Sequence, residues 1–320
     1  MELAVIILLF LVGIVFIVKG GDYFVDAASW IAEVSGIPKL IIGATIVSLA
    51  TTLPEMLVSV MAAAKGSVDM AIGNAVGSVT ANIGLIMGIS LVCMPAVIKR
   101  GDYLIKSVLM LAAAGLIVVS GFRGQTDMMI SAVLIVIFII FLGENIASAK
   151  RSMKAEAEGA ARKKISGRKE IIVNLVKFAV GAVGIVWGAD LLVDNGSALA
   201  AMVGIPERVI GVTIIAVGTS LPELITTITA ILKKQSSLSV GNILGANIID
   251  LTLILPLSAF VSGKPLPIAE TSARLDLPAC LIVGCIAVIP AMISQKFRRW
   301  QGILLLAAYT CYLFLTLRAV

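Results

Sequence analysis

Two short segments place a proline and a glutamate in the middle of strongly apolar sequence. They read ATTLPE, ending at Glu55, and GTSLPE, ending at Glu223. A proline inside a helix removes a backbone donor and displaces the carbonyl four residues earlier, here those of Ala50 and Gly218. An ionisable side chain at mid-bilayer costs about 2.5–3.5 kcal/mol even on the lenient insertion scale, so it is a functional candidate by default. The two segments therefore predict a polar site inside apolar surroundings.

Backbone oxygens are predicted beside each glutamate. As a helix opens at its proline, neighbouring carbonyls can turn inward, and such irregular backbone is tolerated at membrane depth only where it is buried in protein or lines a water-filled cavity. The carbonyls concerned are those of Ser48, Thr51, Ala216 and Thr219. An ion is a natural partner for them.

Each of these segments is followed by a polar helix face. In GNAVGSVTAN and GNILGANIID, polar residues recur every four positions and therefore share one face. We expect Ser78, Asn82 and Asp250 to line the site. For Asn74 and Asn242, interhelical hydrogen bonding and ion ligation are both open. The glycines of the same segments are interpreted as close-packing positions.

The predicted donors are all hard oxygens. The chain has no histidine, and a set of carboxylates, an amide, hydroxyls and carbonyls suits Na⁺ or Ca²⁺, which takes about 6–8 oxygen ligands. The same set disfavours zinc, copper and iron. Three carboxylates balance one Ca²⁺ plus a proton, or three Na⁺, and competition for one anionic cluster would couple the two fluxes. No separate cofactor is expected.

The elements that carry these residues are membrane helices. Of the 320 residues, 59% are hydrophobic and 14% are charged, whereas soluble domains contain about 45–50% apolar residues. Crossing the hydrocarbon core takes about 20 apolar residues. We therefore expect an all-α integral membrane protein with ten transmembrane helices, at approximately 3–18, 40–64, 70–95, 104–121, 127–148, 171–192, 208–232, 238–262, 276–294 and 301–319.

The chain contains an internal duplication. GIPKLIIGATIVSLATTLPE aligns with GIPERVIGVTIIAVGTSLPE at an offset of 168, and 23 of 66 positions are identical between 20–85 and 188–253. Each half has five spans, and because five is odd, the second half enters the membrane with the opposite orientation. The predicted organisation is two inverted five-helix repeats, 1–148 and 171–320, joined by a basic cytoplasmic loop at 149–170. Inverted repeats whose interrupted helices meet at the membrane midplane are typical of secondary transporters.

The distribution of positive charge predicts the orientation. The net charge is +6, but Lys and Arg cluster in a loop between spans, so no nucleic-acid partner is expected. By the positive-inside rule this loop is cytoplasmic, which assigns 17 Lys and Arg residues to the inner side and six to the outer side. Both termini are therefore predicted to be extracytoplasmic, in a multi-pass protein of the plasma membrane.

At these motifs the chain resembles the cation/calcium exchanger superfamily, specifically the prokaryotic sodium/calcium exchanger proteins, whose repeats carry a G-T-S-L-P-E type segment followed by G-N-x-x-G-S-N. The resemblance covers all ten predicted spans. It implies a secondary antiporter that exchanges Ca²⁺ for Na⁺ by alternating access, with spans one and six sliding over the others. The ligands that it implies are the acidic pair Glu55 and Glu223, Thr51 and Thr219 of the unwound segments, the neighbouring hydroxyls of Thr52 and Ser220, the mid-site pair Asn82 and Asp250, and the backbone carbonyls of Ser48 and Ala216.

The chain departs from the family pattern in ways that bear on sodium. Ala246 stands where the second repeat usually has a serine, so one hydroxyl of a sodium site is missing. Ala50 replaces the glycine seen at Gly218, and Thr52 keeps the hydroxyl of the usual serine but adds bulk. The predicted calcium ligands are retained.

Proton-coupled exchange of Ca²⁺ is the alternative function, with protonation of Glu55, Glu223 or Asp250 as the driving step. The proton-exchanger branch usually has glutamates in spans three and eight, where this chain has Asn82 and Asp250, which favours sodium. A channel would need a continuous hydrophilic pore, usually around a symmetry axis. An intramembrane enzyme would need an activated nucleophile, and the sequence places none beside these carboxylates. The chain is predicted to be a non-enzyme that functions as a monomer.

Overall fold

The computed structural model describes residues 3–66, 68–95, 97, 100–159, 167–204, 218 and 220–319. These residues are almost entirely helical. The helices are α1 (Leu3–Ser35), α2 (Lys39–Ala64), α3 (Val68–Ala81 continued by Asn82–Met87 and Gly88–Cys93), α4 (Arg100–Phe122), α5 (Met128–Gly159), α6 (Arg168–Met202), α7 (Leu221–Leu232), α8 (Ser236–Ser262), α9 (Ser272–Ser294) and α10 (Arg299–Ala319).

Among the described residues, eight helices are long and apolar enough to cross a membrane, namely α1 to α6, α8 and α9. The described part of α7 is a shorter apolar helix, because residues 208–217 of the seventh predicted span lie outside the described ranges. An all-helical membrane fold is thus confirmed, and ten spans in two inverted repeats remain a prediction.

Two helices are much longer than the predicted spans. The sequence predicts the first span at 3–18 and the sixth at 171–192, whereas the helices are Leu3–Ser35 and Arg168–Met202. The polar and glycine residues that follow the apolar part of each span favour an interruption in an isolated helix. In the folded chain the glycines lie at a helix–helix contact, so the helix continues through them.

α1 and α6 contact each other directly through glycines. A Cβ atom added to Gly20 would lie 2.8 Å from the backbone nitrogen of Ile185, and one added to Gly188 would lie 2.8 Å from the carbonyl oxygen of Gly13. Small residues allow helix backbones to approach this closely in membranes. α1 and α6 therefore form a tightly packed pair.

The pair lies at the periphery and the polar helices lie in the interior. In the most apolar stretch of each helix, 83% of residues are buried in α8 and 72% in α3, compared with 22% in α1 and 17% in α6. A large apolar core joins α3, α4, α5, α8 and α9. A smaller cluster around Phe24, Ile42 and Ile185 joins α1 and α6 to α2.

The predicted close-packing role of the glycines is confirmed in α8. A Cβ added to Gly245 would lie 2.6 Å from the carbonyl oxygen of Ala44, and one added to Gly241 would collide with the carbonyl of Leu40. α8 therefore packs directly against the backbone of α2. For Gly73 and Gly77 the role stays a prediction, because the equivalent partners at 208 and 212 lie outside the described residues.

The helices that carry the site are irregular. Three of the four described π-helical segments lie in them: Gly43–Val47 in α2, Asn82–Met87 in α3 and Asp250–Ile254 in α8. The fourth, Ser272–Asp276, begins α9. The α3 and α8 segments begin at the two predicted site residues Asn82 and Asp250. π-helical turns frequently occur at functional sites because they release backbone groups from the regular hydrogen-bond ladder.

The two prolines of the LPE motifs have different local effects. α2 does not break at Pro54, which lies within the helical segment Ser48–Ala64, and the irregular turn comes before it. In the second half, α7 starts at Leu221 with Pro222 in its first turn, where the missing amide hydrogen costs nothing. The expected opening of the helix at the proline is therefore not found in α2, whose π-helical turn ends at Val47, about two helical turns before Pro54.

Two short β pairings link the loops. Gln125–Thr126 (β1) pairs antiparallel with Leu266–Pro267 (β2), and Val97 forms an isolated antiparallel bridge with Lys296. Each pairing connects a loop of the first half to a loop of the second half.

Candidate cation site

The described members of the predicted site lie on four helices and are all buried. Each is at most 3% exposed. They are Ser48, Thr51, Thr52 and Glu55 on α2, Ser78 and Asn82 on α3, Ser220 and Glu223 at the start of α7, and Asp250 on α8. The predicted ligands Ala216 and Thr219 lie outside the described residues.

The hydroxyls of α2 connect the two halves of the chain. Oγ1 of Thr52 lies 3.5 Å from Oε1 of Glu223 and 2.5 Å from the carbonyl oxygen of Ser48. A hydroxyl has one hydrogen to donate. Because the carbonyl oxygen of Ser48 is the nearer acceptor, the hydroxyl of Thr52 donates its hydrogen there. Glu223 is thus left in contact with Thr52 without a firm donor from it.

The carboxylates are the least satisfied groups of the site. Among the described residues, both carboxylate oxygens of Glu55, both of Asp250 and Oε2 of Glu223 are buried without a hydrogen-bond partner. Glu55 is close enough to Glu223 and Asp250 to interact with both electrostatically. Buried charges of like sign repel strongly in a low dielectric and are costly unless paired. The arrangement therefore requires positive charge, as cations or protons.

Neutral oxygens complete the donor set. The side-chain oxygens of Ser78, Asn82 and Ser220 are also buried without a hydrogen-bond partner in the described part of the chain. No group of three or more His, Cys, Asp and Glu within those residues converges tightly enough to hold a metal ion by itself. A cation bound here must therefore share its ligands between the carboxylates and these neutral oxygens, which is the mixed oxygen coordination that Ca²⁺ accepts.

The two asparagines of the GN motifs make interhelical hydrogen bonds. Nδ2 of Asn74 on α3 donates to the carbonyl oxygen of Glu55 at 3.2 Å and to Oγ of Ser59 at 2.8 Å. Oδ1 of Asn242 on α8 accepts a hydrogen bond from Thr51 at 3.3 Å. Of the two roles left open from the sequence, the hydrogen-bonding role is the one seen here. Asn74 therefore fixes the backbone of Glu55, whose carboxylate has no hydrogen-bond partner among the described residues.

Three further polar residues beside the site were not predicted. Thr226, Thr227 and Asn247 are buried and have side-chain atoms without a partner in the described region. The threonines gave little signal because a helical threonine commonly bonds its own backbone. Asn247 does give a signal in the sequence, because the equivalent position of the first half is Val79 and burying an amide in an apolar span is costly.

Comparison with known proteins identifies relatives along the whole chain. The model of the family described as "Sodium/calcium exchanger protein" matches residues 5–146 and 173–318. The sodium/calcium exchanger MaX1 of Methanosarcina acetivorans is 31% identical, over 96% of this chain and 97% of its own length. The inner membrane protein YrbG of Escherichia coli is 32% identical, over 95% of this chain and 94% of its own length.

Solved structures of similar shape exist. The sodium-calcium exchanger NCX_Mj, studied in crystals soaked with 2.5 mM Na⁺ and 10 mM Sr²⁺, superposes with a TM-score of 0.80 at 28% identity. The superposition covers 97% of this chain and 98% of that one. The similarity in fold therefore extends over both halves.

Proposed function

This chain belongs to the sodium/calcium exchanger protein family, and on that premise we propose that it is a secondary antiporter that exchanges Ca²⁺ for Na⁺ across the membrane by alternating access. The observation that carries the proposal is the set of buried oxygens without partners on Glu55, Glu223 and Asp250. Such a set is costly without bound cations. The proposed ligands are these carboxylates with Asn82, Ser78, Ser220, Thr52, and the donors of Thr51, Thr219, Ser48 and Ala216.

Exchange follows from sharing one anionic cluster. Ca²⁺ and Na⁺ are both hard cations that bind carboxylate, hydroxyl and carbonyl oxygens. Because Glu55 interacts with both other carboxylates, one ion bound between them lowers the affinity for a second. The ions therefore compete, and each crosses when the other has left. The protein needs no cofactor and no chemical step, which fits a non-enzyme.

Two inverted five-helix repeats are the proposed architecture, and three features support it. The two halves align over 66 positions without a gap, and 23 of these positions are identical. The π-helical turns of α3 and α8 begin at Asn82 and Asp250, which are equivalent positions. The β pairings are also related, since Val97 bonds Lys296 while Leu266, near the position equivalent to Val97, bonds Thr126.

The proposed setting is the plasma membrane, with both termini outside. The basic segment 149–170 supports the orientation through the positive-inside rule, and the helix α5 continues to Gly159 within it. The lipid bilayer, Ca²⁺ and Na⁺ are the proposed partners. A single chain contains both proline segments, so a monomer is sufficient for transport.

The test is ion flux in proteoliposomes. Vesicles containing the purified protein are loaded with Na⁺ and diluted into Na⁺-free buffer, and uptake of ⁴⁵Ca²⁺ is followed. A second set has an outward proton gradient and no Na⁺. We expect uptake with the Na⁺ gradient and none above protein-free vesicles with the proton gradient. Uptake that follows protons and ignores Na⁺ would favour the proton-coupled alternative. Uptake with neither gradient would reject both.

A further inference from the structure

An ion-pair cluster fastens α7 to α1. Lys233 directly follows α7, and its Nζ lies 3.2 Å from Oδ1 of Asp22 and 2.9 Å from Oδ1 of Asp26 on α1. The same nitrogen donates to the carbonyl oxygen of Asp22 at 2.9 Å. One lysine therefore ties the end of a site helix to the peripheral pair.

The duplication repeats this cluster at Lys65, Asp190 and Asp194, each 168 positions away from its counterpart. Lys65 follows α2 with φ −84° and ψ 0°, close to the −88° and 6° of Lys233 after α7. Lys65 is nonetheless exposed. Within the described ranges neither Asp190 nor Asp194 forms an ion pair or hydrogen bond. The second cluster has the same residues and is open.

Packing around the two clusters differs in the same direction. A Cβ added to Gly21 on α1 would lie 2.7 Å from Oγ1 of Thr229, so α1 rests directly on α7. The equivalent residues are Ala189 and Met61. Met61 is 54% exposed, and Ala189 borders a cavity of about 200 Å³. α6 therefore stands away from α2 where α1 touches α7.

The cavity extends from the two aspartates of the open cluster to the prolines that precede the glutamates of the candidate site. Its walls include Asp190 and Asp194 from α6 and residues of both proline segments, Pro54, Gly218 and Pro222. Since α1 and α6 pack backbone to backbone through Gly20 and its neighbours, they cannot shift independently without opening a void. A displacement of the pair that separates α1 from α7 brings α6 toward α2.

We propose that Lys65 binds Asp190 and Asp194 in a second conformation, in which the cavity is closed and Lys233 has released Asp22 and Asp26. The two clusters thus act as alternating latches, one on each side of the site. This inference rests on the alternating access proposed above. The latches are partly exposed, so each contributes weakly, and neither conformation is favoured so strongly that cations could not shift the balance.

Crosslinking tests whether the latches exclude each other. In a background without Cys93, Cys280, Cys285 and Cys311, which are all free, Asp26→Cys with Lys233→Cys forms the first pair and Asp194→Cys with Lys65→Cys the second. Each pair is treated with a short bifunctional thiol reagent, alone and in one protein. We expect both pairs to crosslink singly, and we expect prior closure of the first to slow the second on the order of tenfold.

The matched control pair is Arg123→Cys with Asp127→Cys. These residues are four positions apart and form an ion pair, with a nitrogen of Arg123 3.6 Å from Oδ2 of Asp127. Their crosslinking should be unaffected by the first pair. Equal crosslinking of the second pair with and without the first would overturn the proposal. So would a second pair that never crosslinks, in Na⁺ or in Ca²⁺, while the control does. Exclusion without ⁴⁵Ca²⁺ flux would leave the latches standing and reject the proposed cargo instead.

Neutral substitutions test the charges themselves. Val58 borders the cavity, so thiol labelling of Val58→Cys reports whether the cavity is open. Lys233→Gln should slow this labelling a few-fold, because it weakens the latch that is closed here. Lys65→Gln should leave it equal or faster. If both lysine variants changed the rate in the same direction, the two clusters would not be opposing latches.

Discussion

Oγ1 of Thr52 and Oε1 of Glu223 lie 3.5 Å apart, so a hydroxyl of the first half meets a carboxylate of the second. The hydroxyl also lies 2.5 Å from the carbonyl of Ser48, and the other oxygen of Glu223 has no partner among the described residues. A cation between Thr52 and Glu223 would gain a charged and a neutral ligand at little rearrangement. The contact joins the two halves of the chain at the candidate site.

Neutralising either glutamate should greatly reduce transport. Glu55→Gln and Glu223→Gln keep the side-chain volume and remove one charge. A charged ligand contributes about 1.5–3 kcal/mol, so ⁴⁵Ca²⁺ uptake in proteoliposomes should fall by roughly 10-fold or more at subsaturating Ca²⁺. Glu270→Gln is the control, because Glu270 is 76% exposed and pairs with Arg274 on the surface. Uptake like that of the unmodified protein in either glutamine variant, at equal monodispersity, would overturn the assignment.

Asn74 should affect affinity through the backbone that it holds. Asn74→Ala removes the bonds to the carbonyl of Glu55 and to Ser59, each worth about 1 kcal/mol. The half-saturating Ca²⁺ concentration should rise several-fold, with a smaller change in maximal rate. Asn174→Ala is a matched control, since among the described residues the side chain of Asn174 bonds only the carbonyl of Glu170 in its own helix, at 2.9 Å. Equal effects of the two alanine variants would show that Asn74 has no special role.

Much of the candidate site can be proposed from the sequence, because charged residues are conspicuous in apolar sequence. Glu55, Glu223 and Asp250 stand out for the cost of placing a carboxylate in a membrane, and the structure buries all three. The internal duplication then indicates the polar residues that accompany these carboxylates, because several of the same positions are polar in both halves. Residue type and spacing thus indicate which residues belong to the candidate site. Their arrangement in space depends on four helices that come together only in the folded chain.

The features that were missed depend on long-range packing. The continuation of α1 past Gly20 requires the backbone of α6 on its other side. The pairing of Lys233 with Asp22 joins residues separated by most of the chain. The helix α2 continues through Pro54 in the segment Ser48–Ala64, an outcome that helix propensity alone does not distinguish from a break.

The contact between α1 and α6 should be intolerant of even one methyl group. A Cβ on Gly181 would lie 2.6 Å from the backbone nitrogen of Phe24 and 2.8 Å from the carbonyl oxygen of Gly20. Overpacking of this kind costs about 1–3 kcal/mol. Gly181→Ala should therefore lower the melting temperature in detergent by several degrees, whereas Gly143→Ala on α5, where a Cβ meets no described atom within 4 Å, should not. A Gly181 variant as stable as the Gly143 variant would disprove the tight contact.

The orientation can be checked by labelling intact cells. In the cysteine-free background, Glu158→Cys lies in the basic segment that is predicted to be cytoplasmic, and Arg123→Cys lies in the loop between α4 and α5 that is predicted to be extracytoplasmic. An impermeant thiol reagent should label the second and spare the first until the cells are permeabilised. The reverse pattern would refute the orientation derived from positive charge.

The last prediction concerns Ala246, which is fully buried on α8 at a position where the family pattern has a serine. A hydroxyl supplies one neutral oxygen, whose loss should matter more to Na⁺, held by few charges, than to Ca²⁺ held by Glu55 and Glu223. Ala246→Ser adds about 1 kcal/mol of ligand energy at most. It should lower the Na⁺ concentration for half-maximal exchange several-fold and change the half-saturating Ca²⁺ concentration less.

Ala259→Ser is the matched control for that substitution, because it places a hydroxyl at a fully buried position of the same helix beyond the π-helical turn. A serine there bonds its own helix and gains no ion. If Ala246→Ser and Ala259→Ser gave the same Na⁺ dependence, the missing hydroxyl would not belong to a sodium site. If exchange in both variants followed a proton gradient without Na⁺, the protein would not be a sodium exchanger and Ala246 would have no part in Na⁺ binding.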